Sequence, residues 1–197
     1  MDKHRTWTVA RKTRETDIRI ELDLDGEGRY SVETGIGFFN HMLELLAKHW
    51  LVDLTVSAKG DLEVDYHHTV EDVGLALGEA LNGALGDRKG IARYGFFLLP
   101  MDETLARVAL DLGGRPFLVM EMASRAKKIR DFDLGLLEEF MRAFATEGRM
   151  NLHAAQLYGK DAHHAYESVF KGLGRALRMA TRKDAREKGV PSSKGVL

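Results

Sequence analysis

Cysteine is absent from the chain, which rules out disulfide bonds, thiolate metal sites and cysteine nucleophiles together. Any metal site must be built from nitrogen and oxygen donors, a set that favours manganese, iron or zinc over softer ions. An excess of one charge is missing too. Lys and Arg number 29 against 30 Asp and Glu, a formal net charge of −1. The basic residues are spread along the chain and draw no nucleic-acid footprint. No apolar run approaches the length that spans a bilayer, and the N-terminal stretch MDKHRTWTVARKT lacks the apolar segment of a signal peptide. A cytoplasmic protein without membrane contact is expected. Apolar residues at 44% and charged residues at 30% of 197 positions are an ordinary globular balance. That length builds one large domain, or two small ones sharing a core.

What stands out is a short motif used twice. His67-His68-Thr-Val-Glu71 opens HHTVEDVGLALGEALNGAL, and His163-His164-Ala-Tyr-Glu167 opens HHAYESVFKGLGRALRMA. An apolar period of three to four residues begins directly behind each pair, which predicts a helix starting at each motif. Asp65 and Asp161 stand two residues ahead as candidate N-caps. On a helix the first His and the Glu, four apart, project from one face a turn apart. A neutral imidazole nitrogen and a carboxylate oxygen so placed can converge on a divalent cation.

The rest of the chain repeats around these motifs. Residues 7–12, 17–24 and 29–33 read as strands, with a hairpin turn at Gly26 and Gly28. Residues 38–49 carry a helical apolar stripe, 51–58 a strand, 60–64 a loop and 67–85 the first HHxxE helix, ended by GDRKG. The order then restarts, with strands at 94–100, 105–112 and 116–122, a helix at 134–144, a strand at 150–157 and the second HHxxE helix at 162–182. Glu15-Thr16 recurs as Glu103-Thr104, Leu22-Asp23-Leu24 as Leu110-Asp111-Leu112, and the Gly-Arg of the following hairpin as Gly114-Arg115. The offset grows from 88 at Glu15 to 96 at His67. The expectation is an α+β fold made by internal duplication of a three-strand, helix, strand, helix half. Residues 1–90 and 91–184 form the halves of one integrated domain, and residues 185–197 form a C-terminal tail. Each half-sheet has one face to bury, which two halves sharing a helical layer accomplish. The tail, KGVPSSKGVL, is of a kind usually disordered when free, though its Ser-Ser-Lys suits an anion if folded over a site.

Four of the 8 histidines belong to the HHxxE pairs. His41 lies early on the first helix of the first half, and superposing the halves brings Glu139 of LLEEFMRAF opposite it. His41, His67, His68, Glu71, Glu139, His163, His164 and Glu167 then make eight nitrogen and oxygen donors, enough for two metals with positions left open. Neighbouring helical residues point about 100° apart, so His67 and His68 are assigned to different metals. His153, on a strand, reads as a core histidine or one supporting a metal ligand.

The chain closely resembles the imidazoleglycerol-phosphate dehydratase family of histidine biosynthesis. RKTRETDIRIELDLDG, TGIGFFNHMLELLAKH, DYHHTVEDVGLALGEAL, LYGKDAHHAYESVFKGLGRAL and PSSKGVL carry the likeness, spanning nearly the whole chain. The resemblance implies the duplicated fold (ribosomal protein S5 domain 2-like) and an octahedral assembly of twenty-four subunits. It also implies two Mn2+ per active site, formed between neighbouring subunits, with the residues above as ligands. Where members often carry His in an EHFF-like motif, this chain has Glu139. The implied reaction removes water from imidazole glycerol phosphate to give imidazole acetol phosphate. The proton to be lost has no adjacent carbonyl to accept its charge. An imidazole held as its anion between two cations can serve instead. The likeness points to Glu15 as the general base. For the phosphate it suggests His49, Arg93, Arg115, Lys171, Ser193 and Lys194. Arg115 has separate support beside Gly114, where backbone and guanidinium can approach one anion. Apart from the family blocks, the same donors would also suit a binuclear metallohydrolase or a non-catalytic assembly stapled by metal.

Overall fold

Strict two-residue alternation builds the first sheet. In β2 (Thr16–Asp23) it turns Ile18, Ile20 and Leu22 inward and Asp17, Arg19 and Glu21 to solvent. β1 (Thr6–Lys12) pairs antiparallel with β2, and β4 (Asp53–Gly60) takes the other edge of β2, also antiparallel. The structure is a computed structural model that describes residues 4–197. Residues 1–3, the start of the N-terminal stretch read above, lie outside the described residues.

The expected hairpin at Gly26 and Gly28 does not form. β3 (Tyr30–Glu33) pairs parallel to β4, giving the order β1-β2-β4-β3. Parallel neighbours need a crossover, and α1 (Gly37–Trp50) supplies it between β3 and β4. The turn reverses the chain but skips one strand's width. Asp53, first in β4, holds it there: its carboxylate accepts the Glu27 and Arg29 N–H groups at 2.8 and 3.0 Å and the Arg29 guanidinium at 2.9 Å. Burial works against the Asp53 charge, but these donors prevail and bring its pKa down to about 2.

After α2 (His67–Leu85), the second half repeats the plan. β5 (Tyr94–Met101), β6 (Thr104–Asp111) and β7 (Phe117–Glu121) are joined by β10 (Asn151–Tyr158) in the order β5-β6-β10-β7, with β7 parallel to β10. The turn at Gly114-Arg115 is therefore no hairpin either; Gly28 and Gly114 both adopt φ 82°. A small ribbon of β8 (Lys128–Ile129) and β9 (Phe132–Asp133), too short for a periodic signal, precedes α3 (Gly135–Glu147). His153 is exposed on β10 between the buried Leu152 and Ala154. Strand alternation places it on the open face, so the core reading of His153 is wrong.

Helices fill the space between the sheets. α2 packs on β1 and β2, and α4 (Ala162–Thr181) on β5 and β6. The close helix pairs cross the halves, α1 with α4 and α2 with α3. Phe39 of α1 lies edge-on to Phe140 of α3 at 5.4 Å, and Phe140 stacks on Phe170 of α4 at 5.6 Å. The result is one core fed by both halves. No helix among the described residues is long and apolar enough to cross a membrane.

Glycine sets how close the pairs come. A Cβ at Gly174 would sit 2.8 Å from the Leu46 carbonyl oxygen and the Trp50 nitrogen, and one at Gly78 2.7 Å from the Phe144 oxygen and Gly148 nitrogen. Both obstructions are backbone and cannot rotate away. Gly78→Ala and Gly174→Ala should each destabilise the chain by about 1–3 kcal/mol through overpacking. Gly37→Ala, where a Cβ meets nothing within 4 Å, should be neutral or mildly stabilising. Denaturant midpoints check this, and equal midpoints for all three would refute the close-contact account.

A candidate metal centre shared by the two halves

The helix pairing decides which donors meet. His41, one turn into α1, faces the start of α4 rather than that of α2. Its Nε2 lies 3.4 Å from Glu167 Oε2, and His163 Nε2 lies 3.0 Å from the same oxygen. The three ligand atoms are within 4.8 Å of one another, the single converging group of three or more such donors among the described residues. The His163–Glu167 pair has the one-turn geometry expected of HHxxE, and Phe38 shields one edge of His163 at 5.5 Å. Glu167 is buried and both histidines are half-exposed. Two imidazole nitrogens and a carboxylate, open to solvent on one side, fit a divalent cation of the manganese, iron or zinc type.

His67, His68 and Glu71 open α2 as His163, His164 and Glu167 open α4, but with Glu139 they form no second converging group among the described residues. His67 Nε2 is 3.6 Å from Glu71 Oε2. His67 and His68 lie nearly perpendicular, at 86° with centroids 6.1 Å apart, so they diverge as neighbouring helical residues should. Glu139 stands on α3 at the site that His41 occupies on α1. The step from Leu46 to Phe144 across the glycine contacts equals that from Trp50 to Gly148, 98 positions, and the same step from His41 lands on Glu139. Glu139 is half-buried, 3.9 Å from Arg142, whereas Glu138 is exposed and bound to Arg142 at 2.6 Å.

The helix starts are held differently. Asp161 caps α4 by accepting the His164 N–H at 3.1 Å. The cap position of α2 is Tyr66, not Asp65, which instead accepts the His67 N–H at 2.7 Å. Sequence reasoning missed Asp61 altogether. It lies in the loop before α2 and accepts from His68 Nδ1 at 3.0 Å. Nothing periodic marks it, because its partner is set by how the loop folds back. Glu103 does the same for His164 Nδ1 at 2.9 Å. Each hydrogen bond to a carboxylate raises its histidine above the usual pKa, and the Glu103 carboxyl is held well below its usual range. Glu15 is exposed on the β1–β2 turn, with Oε1 3.8 Å from His68 Nε2.

The suggested phosphate residues fall into two groups. Lys171, one turn beyond Glu167, reaches Glu167 Oε1 at 2.5 Å. His49 packs against Gly174; burial lowers its pKa first, and the Lys171 and Arg175 charges lower it further. Arg175, which the sequence did not single out, lies over the Phe97 ring at 5.0 Å. Arg93 immediately precedes β5, and Lys171 Nζ lies 3.9 Å from Met101 Sδ at the far end of that strand. The Arg93 N–H bonds the Ala180 carbonyl at 2.9 Å, and Lys171 lies nine residues earlier on α4, roughly 14 Å along the helix. Arg93 is bound to Asp111 at 2.7 and 3.0 Å and to the Pro191 carbonyl at 2.8 Å, so the tail does not hang free at its base. Ser193, Lys194 and Arg115 are exposed at that end.

Comparison with known proteins adds a separate line of support. Residues 34–177 match the family model described as imidazoleglycerol-phosphate dehydratase. Proteins of that name from Methylorubrum extorquens and Thermoanaerobacter pseudethanolicus are each 55% identical to the chain. The first match covers 98% of this chain and 100% of the relative, the second 96% and 97%. The crystal structure of imidazoleglycerol-phosphate dehydratase from Staphylococcus aureus superposes with a TM-score of 0.83 at 36% identity, covering 91% of this chain and 99% of that one. The Pyrococcus furiosus structure, in complex with (S)-C348, gives 0.80 at 35% identity, covering 96% and 100%.

Lys171 gives Glu167 a cation within the chain itself. Burial pushes the Glu167 carboxyl up, but the Lys171 hydrogen bond and charge, with help from His41, outweigh it and leave the pKa below the usual value. A depressed carboxyl contributes stability above its unfolded pKa, about 4.3, and loses it as pH falls through the folded pKa. In chelator, Lys171→Met should therefore be less stable than the parent at pH 7 by about 1–3 kcal/mol, the cost of leaving a buried polar group unpaired. The gap should narrow as pH falls and close only below the depressed folded pKa of the parent, where Glu167 is protonated in both. Urea midpoints across pH check this; a gap constant with pH would show that Lys171 acts through packing alone.

Proposed function

The chain belongs to the imidazoleglycerol-phosphate dehydratase family, and from that membership we propose how its residues share the work. The enzyme is a hydro-lyase of histidine biosynthesis that converts imidazole glycerol phosphate to imidazole acetol phosphate and water. That identity displaces the metallohydrolase and metal-staple readings. In the proposed site, His41, His67, His68, Glu71, Glu139, His163, His164 and Glu167 hold two Mn2+ per active site. The convergence of His41, His163 and Glu167 carries this reading, and the repeat relation extends it to Glu139, His67 and Glu71. A divalent cation bound there supplies Lewis acidity to an azole nitrogen and lets the ring accept negative charge.

The chain's own groups do the rest. Glu15 is the proposed proton carrier. It takes the proton from one carbon as hydroxide leaves its neighbour, and the resulting enol becomes the ketone by gaining a proton at the carbon beside the ring. Its exposed carboxylate, 3.8 Å from His68 Nε2, supports that role. His49 and Lys171 are proposed to take the phosphate together with Arg93, Arg115, Ser193 and Lys194. One chain holds Lys171 roughly 14 Å along α4 from the Ala180 carbonyl that bonds Arg93. In the proposed assembly of twenty-four subunits, sites are shared between neighbouring subunits. Exposed Tyr94, Phe96, Leu98, Phe117 and Tyr158, each more than half exposed, give the second half apolar surface for such contacts.

Chelator-stripped protein reloaded with manganese should dehydrate imidazole glycerol phosphate, and equal activity in chelator would remove the metal from the reading. Glu15→Gln should keep bound manganese while turnover falls about a hundredfold to ten-thousandfold. Glu71→Gln should lose manganese along with turnover. A Glu15→Gln protein that loses metal instead would place Glu15 among the ligands.

Glu139 separates the repeat relation from coincidence. Glu139→Ala should weaken manganese binding, Glu138→Ala should leave it near the parent value, and Glu139→His should retain activity. Equal behaviour of the two Ala variants in a metal titration would defeat the assignment.

A further inference from the structure

The second histidine of each HHxxE pair is held from behind, and the two halves do it with different parts. In the second half the β10–α4 connection is short, running from Gly159 to Asp161 between the two elements. Glu103, on the β5–β6 turn, reaches across it. Its Oε1 accepts the Lys160 and Asp161 N–H groups at 3.3 and 3.0 Å, and its Oε2 accepts from His164 Nδ1 at 2.9 Å. In the first half the β4–α2 connection is longer, from Asp61 to Tyr66, and brings its own carboxylate. Asp61 donates its backbone N–H to the Glu15 carbonyl at 3.1 Å and turns its side chain to His68 Nδ1 at 3.0 Å. Glu15, the repeat counterpart of Glu103, is left on the other side of the ring, toward Nε2.

We propose that Asp61 and Glu103 are positioning residues that fix His68 and His164 with Nδ1 protonated and Nε2 presented outward, and that the longer loop carrying Asp61 releases Glu15 from the task Glu103 performs. A carboxylate accepting from Nδ1–H selects one tautomer and one ring orientation, and leaves the Nε2 lone pair free to bind. Losing such a partner typically costs ten- to a hundredfold in metal affinity. The inference rests on the metal reading above for its consequence, but the tautomers can be read without metal. It also accounts for an asymmetry inside the duplication: one ancestral turn position gives an anchoring Glu in one half and a free Glu in the other.

The test is imidazole 15N NMR on the metal-free chain, with manganese titrations of the same proteins and circular dichroism to confirm folding. The parent should show His68 and His164 as Nδ1–H tautomers. Asp61→Ala should shift His68 alone, and Glu103→Ala should shift His164 alone, each with a ten- to hundredfold loss in manganese affinity. Asp61→Asn and Glu103→Gln, which keep an acceptor oxygen, should hold the tautomer and most of the affinity. Glu15→Ala should leave the His68 tautomer unchanged. Unaltered tautomers in the Ala variants, or a shifted His68 in Glu15→Ala, would overturn the proposal. A parent that shows both tautomers yet takes up no manganese would sink the metal reading and leave the positioning standing.

Discussion

Helices from opposite halves touch backbone to backbone at Gly78 and Gly174, and the rest of the molecule depends on that contact. Without side chains in the way, α2 seats against α3 and α4 against α1. Each half could have closed its own core by packing its two helices together. Crossing them instead makes one core, with Phe39, Phe140 and Phe170 meeting where neither half could fill the space alone. The same crossing carries His41 to His163 and Glu167, so the converging donors come from both repeats. A cation held there would tie the halves at the point where their helices already meet, coupling folding to metal binding.

Symmetry in the duplication is close where packing demands it and relaxed where chemistry does. The glycine contacts, the φ 82° turns and the strand orders repeat. The loops before α2 and α4 do not, since they differ in length and in which carboxylate meets the second histidine. Loops accept insertions at little cost in stability, so a repeated fold can keep its core and still give its two halves unequal tasks. Glu15 and Glu103 start from one position in the repeat. Only Glu103 is consumed by backbone N–H groups and a histidine.

The buried Glu167 shows how the chain carries such a site before anything binds. A carboxylate at 7% exposure is costly unless paired. Lys171 and His41 lie against it, one from its own helix and one from α1. Burial, with the Lys171 and Arg175 charges, lowers the pKa of His49 beside them. Lys171 thus offsets the buried Glu167 charge within the chain.

Much of this was written locally in the sequence. Alternation in TDIRIELD gave β2 its inward face, and the four-residue step in each HHxxE put His and Glu on one side of a helix. These follow from backbone geometry and need no distant partner. The repeat was legible for the same reason, as was the likeness to a family whose fold and activity the comparisons bear out. Partners that depend on distant segments were not legible. β3 beside β4 rather than β2, Asp61 behind His68, His153 facing out and the tail pinned through Arg93 each follow from how elements settle against one another. The amino-acid order fixes periodicity and residue chemistry through covalent geometry. Tertiary packing alone decided which helix of one half faces which of the other, and with it which histidines share a carboxylate, because that choice rests on close backbone contact between residues far apart in the chain.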